Sequence, residues 1–427
     1  MKFPAPLGLL ASGSVFLSHG SRVSAFLVQD DLYAHAIGLM QASPLLDTHV
    51  DLPQVLRSLS RNPLDVIPEL ETRIPGHVDI PRMREGRLGG AFFTVWAPCP
   101  DTLGLDPGKD FLGRTDSLRD ALEVLDLIKN MIKQHPDVWK GMSIESLPSV
   151  ELSSYRNSTH MLGNSLSTMR LFAELGVRYV TLSHVCHTAF ASSNGGGGPM
   201  RPAYPGNGLS DLGRQLVLEL NRLGVMVDLA HTSDATMKEV IAISKAPVVW
   251  THAGARAILD HPRNVPDDIL QLIGDGAGKN RGIILSVFYP HFIGPIDTAN
   301  VSHVADHIEH IAGIVGRNHV GIASDFDGMY TTVKGLEDAS KYPNLIVELL
   351  DRGWTDGEIK AVMGENLMRV MDEVDATKRQ LERELPSSAI YEKRTDLPAP
   401  WAGADSVYWP YEVQATVAKL FPKHDEL

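Results

Sequence analysis

Pro44-Leu45-Leu46-Asp47-Thr48-His49-Val50-Asp51 is an apolar run that ends in an imidazole and a carboxylate. Side chains alternate faces along a strand, so His49 and Asp51 are expected to point the same way. Such a pair at a strand end can converge on a metal. Taken alone it is more often the polar loop that follows a buried strand. What separates these readings, and decides the fold, is whether other runs of the same kind end in the same way.

They do. Apolar, β-branched runs recur at residues 45–49, 91–97, 143–151, 178–184, 225–231, 247–252, 282–289 and 320–325. Amphipathic stretches lie between them at 117–132, 165–175, 209–223, 234–244, 267–273 and 301–315, and two more follow at 337–351 and 355–374. Eight strands alternating with helices predict an α/β fold of the (β/α)8 type, a TIM-like barrel rather than an open sheet. The near-continuous apolar character of the strands fits a parallel sheet covered on both faces. No short repeat is evident. The run Asn194-Gly195-Gly196-Gly197-Gly198-Pro199 reads as a flexible loop able to border a site.

The runs end in His49 and Asp51, in Glu151, in His184, in His231, in His252 and in Asp325. In a barrel these ends share one mouth, where enzymes of this architecture place their chemistry. One histidine at a strand end is more often structural; several together point to a metal. Imidazole and carboxylate without thiolate suit zinc, with manganese or cobalt as alternatives. About six ligand atoms exceed one four-coordinate ion, so a carboxylate-bridged pair is expected, of the kind that hydrolyses amides, esters or phosphoesters. Asp325 could carry the proton. Arg263 either clamps a substrate carboxylate or forms a helix-start pair with Asp267 or Asp268. His303 and His307, four apart, share a helical face, but their helix belongs to the outer ring and reads as a solvated face.

The chain of 427 residues carries a formal charge of -13, which argues against a nucleic-acid partner. Lys2, the apolar stretch 7–17 and Val23-Ser24-Ala25 predict a signal peptide over residues 1–25. That stretch is too short to span a bilayer, and no other run approaches the length of a transmembrane helix. The closing His424-Asp425-Glu426-Leu427 predicts retention in the endoplasmic reticulum lumen, with secretion as the alternative. Cys99 and Cys186 are compatible with one disulfide or with two buried thiols. Sequons stand at Asn157 and Asn300. A main domain is expected over 26–375, with 376–427 as an appended tail.

At these residues the chain resembles the membrane (renal) dipeptidase family of zinc metallopeptidases. The matching segments are Asp47–Pro53, His77-Val78-Asp79-Ile80-Pro81, Arg178–His184, Asp228-Leu229-Ala230-His231, Arg263–Asp268, Asp325-Phe326-Asp327-Gly328 and Gly335-Leu336-Glu337-Asp338. The resemblance implies a barrel with two zinc ions per chain that cleaves dipeptides, cysteinylglycine-type ones included, by a metal-bound hydroxide. It implies His49 and Asp51 on one metal, His231 and His252 on the other, and a bridging glutamate. His184 would contact substrate, Arg263 hold its free carboxylate, and Asp325 shuttle the proton. It implies a Cys99–Cys186 disulfide and a homodimer that is non-covalent. One departure stands out: the bridging Glu is normally followed by Gly and, three residues on, by His. Here Glu151 precedes Leu152, and the matching His is His160, across an apparent insertion. Glu151 is preferred as the bridge; Asn157 is a poor ligand and Glu145 a remote third choice. Loss of that bridge would leave an inactive or weakly active dipeptidase-like binding protein. Another hydrolase of the barrel class, lactonase-like or phosphotriesterase-like, is the remaining alternative.

Overall fold

A computed structural model describes residues 19–97, 99, 116–138, 150–152, 159–196, 205–390 and 410–420. Eight strands run in chain order around one sheet: β1 (Leu45–Val50), β2 (Leu88–Thr94), β3 (Val150–Leu152), β4 (Val177–Thr181), β5 (Met226–Asp228), β6 (Val248–Ala253), β7 (Ile283–Ser286) and β8 (Val320–Ile322). Every neighbouring pair is parallel. The last strand meets the first through the segment leaving β8. Asp325 N donates to His49 O (3.1 Å), Asp51 N donates to Phe326 O (2.8 Å), and Val50 bridges Phe326 in parallel. The fold is the expected (β/α)8 barrel.

Asp47 reinforces this seam. Its buried carboxylate accepts from His49 N (2.9 Å), from Ser324 N (3.0 Å) and from the Tyr342 hydroxyl. Burial pushes this carboxyl up, and the bonds from Ser324 and Tyr342 hold it back down. Several donors are what a carboxylate in an apolar wall requires.

Alternation sorts the strand residues into two layers. Phe92, Tyr179, Met226, Val249, Ile283 and Leu285 form a cluster of their own in the barrel lumen. Their neighbours in sequence, Val180, Val227, Val248, Trp250 and Ile284, pack outward with helix residues such as Leu216, Val240 and Ile308. The Tyr179 hydroxyl crosses the lumen from β4 to donate to Thr48 O on β1 (2.5 Å). Leu367 and Val370 of the Asn366–Leu381 helix join the lumen cluster. Asn366 Nδ2 donates to Val320 O (2.9 Å), where β8 begins, so this helix seals the end opposite the mouth.

Several expected boundaries moved. The 267–273 stretch makes only a short helix, Asp267–Leu270, before a turn. The Asn366–Leu381 helix runs through position 375, and Ser387 N still donates to Glu219 Oε2 (3.2 Å), so packing on the barrel continues beyond it. At the other end the helix His19–Ala42 buries Ala36, Leu39 and Met40. No helix among the described residues is long and apolar enough to cross a membrane. The first 18 residues, Glu145, Asn157, the closing tetrapeptide and the Glu151 and His160 side chains lie outside what the structure describes.

Candidate metal centre

The described strand-end side chains do converge, but β2, β4, β5, β7 and β8 stop earlier than expected. Only His49, Glu151 and His252 lie within strands. His184, His231 and Asp325 each follow β4, β5 and β8 by three residues. Asp51 also lies outside its strand, with φ -90° and ψ 21°, at the start of the Leu52–Leu59 helix. A register shift between Asp47 and Val50 replaces the simple alternation that put His49 and Asp51 on one face. His231 and Asp325 adopt left-handed backbone (φ 66° and 65°). Such strain in non-glycine residues collects at functional sites.

His49 Nε2 lies 3.4 Å from Asp51 Oδ2 and 3.5 Å from Asp325 Oδ1. His231 Nε2 and His252 Nε2 face each other at 3.0 Å. The His49 and His252 rings are 3.7 Å apart between centroids, and those of His184 and His231 are 3.9 Å apart. Ligand atoms of His49, His252 and Asp325 all lie within 4.8 Å of one another. All four imidazoles and both carboxylates are buried.

The surroundings prepare these groups to be ligands. Burial, then the charge of Arg263 and the neighbouring imidazoles, drives His231 well below the usual histidine range. Burial and His49 do the same to His252. Both rings are therefore neutral, as metal ligation requires. Burial pushes Asp325 up to about 7, with His49 drawing it back and Asp51 pushing it further. The Thr94 hydroxyl donates to Asp51 Oδ1, while Asp51 Oδ2 accepts no hydrogen bond although buried. Neutral nitrogens and a carboxylate oxygen with no hydrogen bond from the described residues, converging in a buried mouth, fit a divalent metal.

Glu151 is placed only by its backbone. It pairs in register with Thr94 on one side and Tyr179 on the other, so it stands beside the residue that holds Asp51.

Arg263 is buried, donates from Nη2 to His252 O (3.2 Å), and lies 5.1 Å from the centre of the Phe292 ring. The alternative partners are engaged elsewhere: Asp267 meets His310 Nε2 (2.9 Å) and Asp268 meets Lys238 Nζ (2.7 Å). Asn194 borders the same region, donating to Pro262 O (2.7 Å) and, from its backbone, to His231 O (2.9 Å). Cys99 and Cys186 form a disulfide between the loops after β2 and β4.

The outer-ring histidines bind no common centre. His303 caps its own helix with Asn300. His310 pairs with Asp267. His307, expected on a solvated face, is instead fully buried, accepting from Ala255 N (2.8 Å) and donating to Ile293 O (3.0 Å).

Two residues stood in the matching segments but were given no role there. Asp47 secures the seam, and buried Asp228 accepts hydrogen bonds from β4 and β6 at once. The signal was present: an aspartate inside an apolar run has to be held by donors.

The membrane dipeptidase family model matches residues 33–385. The dipeptidase verJ of Clonostachys rogersoniana is 37% identical over 368 residues, covering 83% of this chain and 90% of that protein. The dipeptidase aclJ of Aspergillus oryzae is 36% identical over 401 residues, covering 90% and 91%. Among solved structures, the probable dipeptidase PvdM of Pseudomonas aeruginosa is similar with TM-score 0.68 and 25% identity, covering 82% of this chain and 99% of that one. A metallopeptidase of Rhodobacter sphaeroides, liganded with a phosphinate mimic of the dipeptide L-Ala-D-Ala, is similar with TM-score 0.63 and 26% identity, covering 78% and 99%. With this mouth and these relatives, the chain belongs to the membrane dipeptidase family and is a metal-dependent hydrolase of the dipeptidase class.

Proposed function

We propose that the chain hydrolyses dipeptides with two zinc ions. The observation that supports it best is the convergence of buried His49, Asp51, His231, His252 and Asp325 beside buried Arg263. His49 and Asp51 would hold one ion, His231 and His252 the other, and Glu151 would join them. What bound zinc supplies is Lewis acidity at the scissile carbonyl and a water made nucleophilic at neutral pH.

The chain's own groups do the rest. Arg263 binds the C-terminal carboxylate and so limits the substrate to two residues. Asp325, held near neutrality by burial, takes the proton of the attacking water and returns it to the departing amine. His184 steadies the carbonyl oxygen as it becomes tetrahedral. The buried mouth keeps bulk water from competing for these groups.

Zinc content and dipeptide turnover test the reading. About two zinc per chain, with turnover lost in Glu151→Gln, supports it. Full zinc-dependent activity in Glu151→Gln removes the bridge assignment. One zinc per chain favours a second reading, a mononuclear site on His49, His252 and Asp325, which the 4.8 Å grouping of their ligand atoms supports. Arg263 is tested with dipeptide amides: they should be poor substrates of the native protein, and Arg263→Lys should raise KM for dipeptides only. We also assign the chain to the endoplasmic reticulum lumen or the secreted fraction, as a non-covalent homodimer glycosylated at Asn157 and Asn300. Glycosidase shifts and sedimentation check this.

A further inference from the structure

We propose that Asp228, acting through the Thr251 hydroxyl, fixes the tautomer of His252, so that its Nε2 lone pair is presented to the mouth. The proposal deepens the assignment of His252 as a ligand and rests on it. Asp228 is fully buried at the end of β5, and its four acceptor positions are accounted for. Oδ1 accepts from the backbone N–H groups of Ala230 (3.0 Å) and Thr251 (3.0 Å). Oδ2 accepts from the hydroxyls of Thr181 (2.6 Å) and Thr251 (2.8 Å).

A carboxylate only accepts, and a hydroxyl has one proton to give. The Thr251 proton is therefore committed to Asp228. What Thr251 Oγ1 offers His252 Nδ1, 3.0 Å away, is a lone pair. Nδ1 must carry the hydrogen, which leaves the lone pair on Nε2, the atom that faces His231 Nε2 at 3.0 Å. Asp228 touches no substrate in this arrangement and acts as a positioning residue, a buried orienter of a metal-binding histidine.

The same bookkeeping of protons predicts an inversion. In Asp228→Asn the two backbone donors hold the amide oxygen in the Oδ1 position. The amide nitrogen then replaces Oδ2 and donates to both threonine hydroxyls. The Thr251 proton is released toward His252 Nδ1, and the ring must move its own proton to Nε2. A role limited to packing β4, β5 and β6 together would cause no such inversion.

The test uses the full chain, zinc-stripped and labelled with 15N-histidine, with the His252 signals identified by their loss in His252→Gln. Nδ1–H in the native protein and Nε2–H in Asp228→Asn is the expected result. Nε2–H in the native protein, or a tautomer that ignores the substitution, overturns the proposal. Zinc affinity, read by chelator competition, should fall about 10–100-fold in Asp228→Asn at one of the two sites. If Asp228→Asn does not fold, Thr251→Val must show that loss and Thr251→Ser must restore it; equal affinity in both overturns the proposal. The tautomer is read without metal. A protein that inverts but binds no zinc therefore refutes the metal reading and leaves the relay standing.

Discussion

The chain has two groups of histidines, and they differ in everything except residue type. His303, His307 and His310 lie within two turns of one helix, at spacings that suit a metal. Yet each is occupied alone: one caps the helix, one spans two backbone groups, one meets an aspartate. His49, His184, His231 and His252 are scattered over more than half the described barrel, and they stack into one cluster. Proximity in sequence did not bring the first group together, whereas topology gathered the second. A parallel barrel brings all its strand ends to one mouth, whereas an outer helix sends its side chains to separate neighbours.

Substitutions can break this contrast, and the largest effects belong at the mouth. Asp325→Asn should lower dipeptide turnover by about 10²–10⁴-fold with the melting temperature nearly unchanged, the loss expected when a general acid–base group is removed. Turnover within a few-fold of native would remove the proton role. Gly328→Ala is a subtler blow to the same place. A Cβ there would come 2.3 Å from Asp51 Oδ2 and 2.6 Å from Asp325 Oδ1, while the Gly328 backbone is not left-handed. Zinc content and turnover should fall together, while folding, followed by circular dichroism, persists.

On the outer helix the effects should appear in stability instead. His307 is pushed down to about 4 by burial, against the pull of its bond to Ile293 O. The unfolded chain binds a proton near pH 6.5 that the folded chain refuses, so stability is highest above that pH and falls on acidification toward 4. This group alone contributes on the order of 3 kcal/mol to that fall. His307→Gln should cost about 1–3 kcal/mol at pH 7 by leaving buried backbone groups badly paired, and should flatten the pH dependence. Denaturant melts at several pH values read both. His310→Ala, which loses only a partly exposed pair with Asp267, should change stability by less than about 1 kcal/mol and leave turnover intact.

Much of the barrel was legible because buried parallel strands cannot hide their apolar runs. All eight overlap the runs that predicted them, although β2 begins three residues early and β3 shares only residues 150 and 151 with its run, and the Val301–Val315 helix matches residue for residue. The site was legible in its members but not in their local geometry. Alternation assumed that strands reach their functional residues. Instead β4, β5 and β8 stop short, and left-handed turns at His231 and Asp325 re-aim the side chains. Periodicity carries no information about such turns. Asp47 and Asp228 were hidden for a different reason. Inside an apolar run a single acid reads as an interruption, and its donors come from distant strands.

The disulfide has a consequence for where the chain can be made. It closes a loop with a sequence separation of 87, and it ties the loop after β2 to the loop after β4, the two strands that pair with β3. By loop-closure entropy such a link is worth about 4–5 kcal/mol against unfolding. Within the bracketed segment lies the three-residue strand β3, which carries Glu151. A host whose cytosol keeps thiols reduced would produce the chain without this strap. The strand that carries Glu151, the proposed bridge, lies inside the loop that the strap closes, so the folding compartment should govern how much of the protein comes out competent.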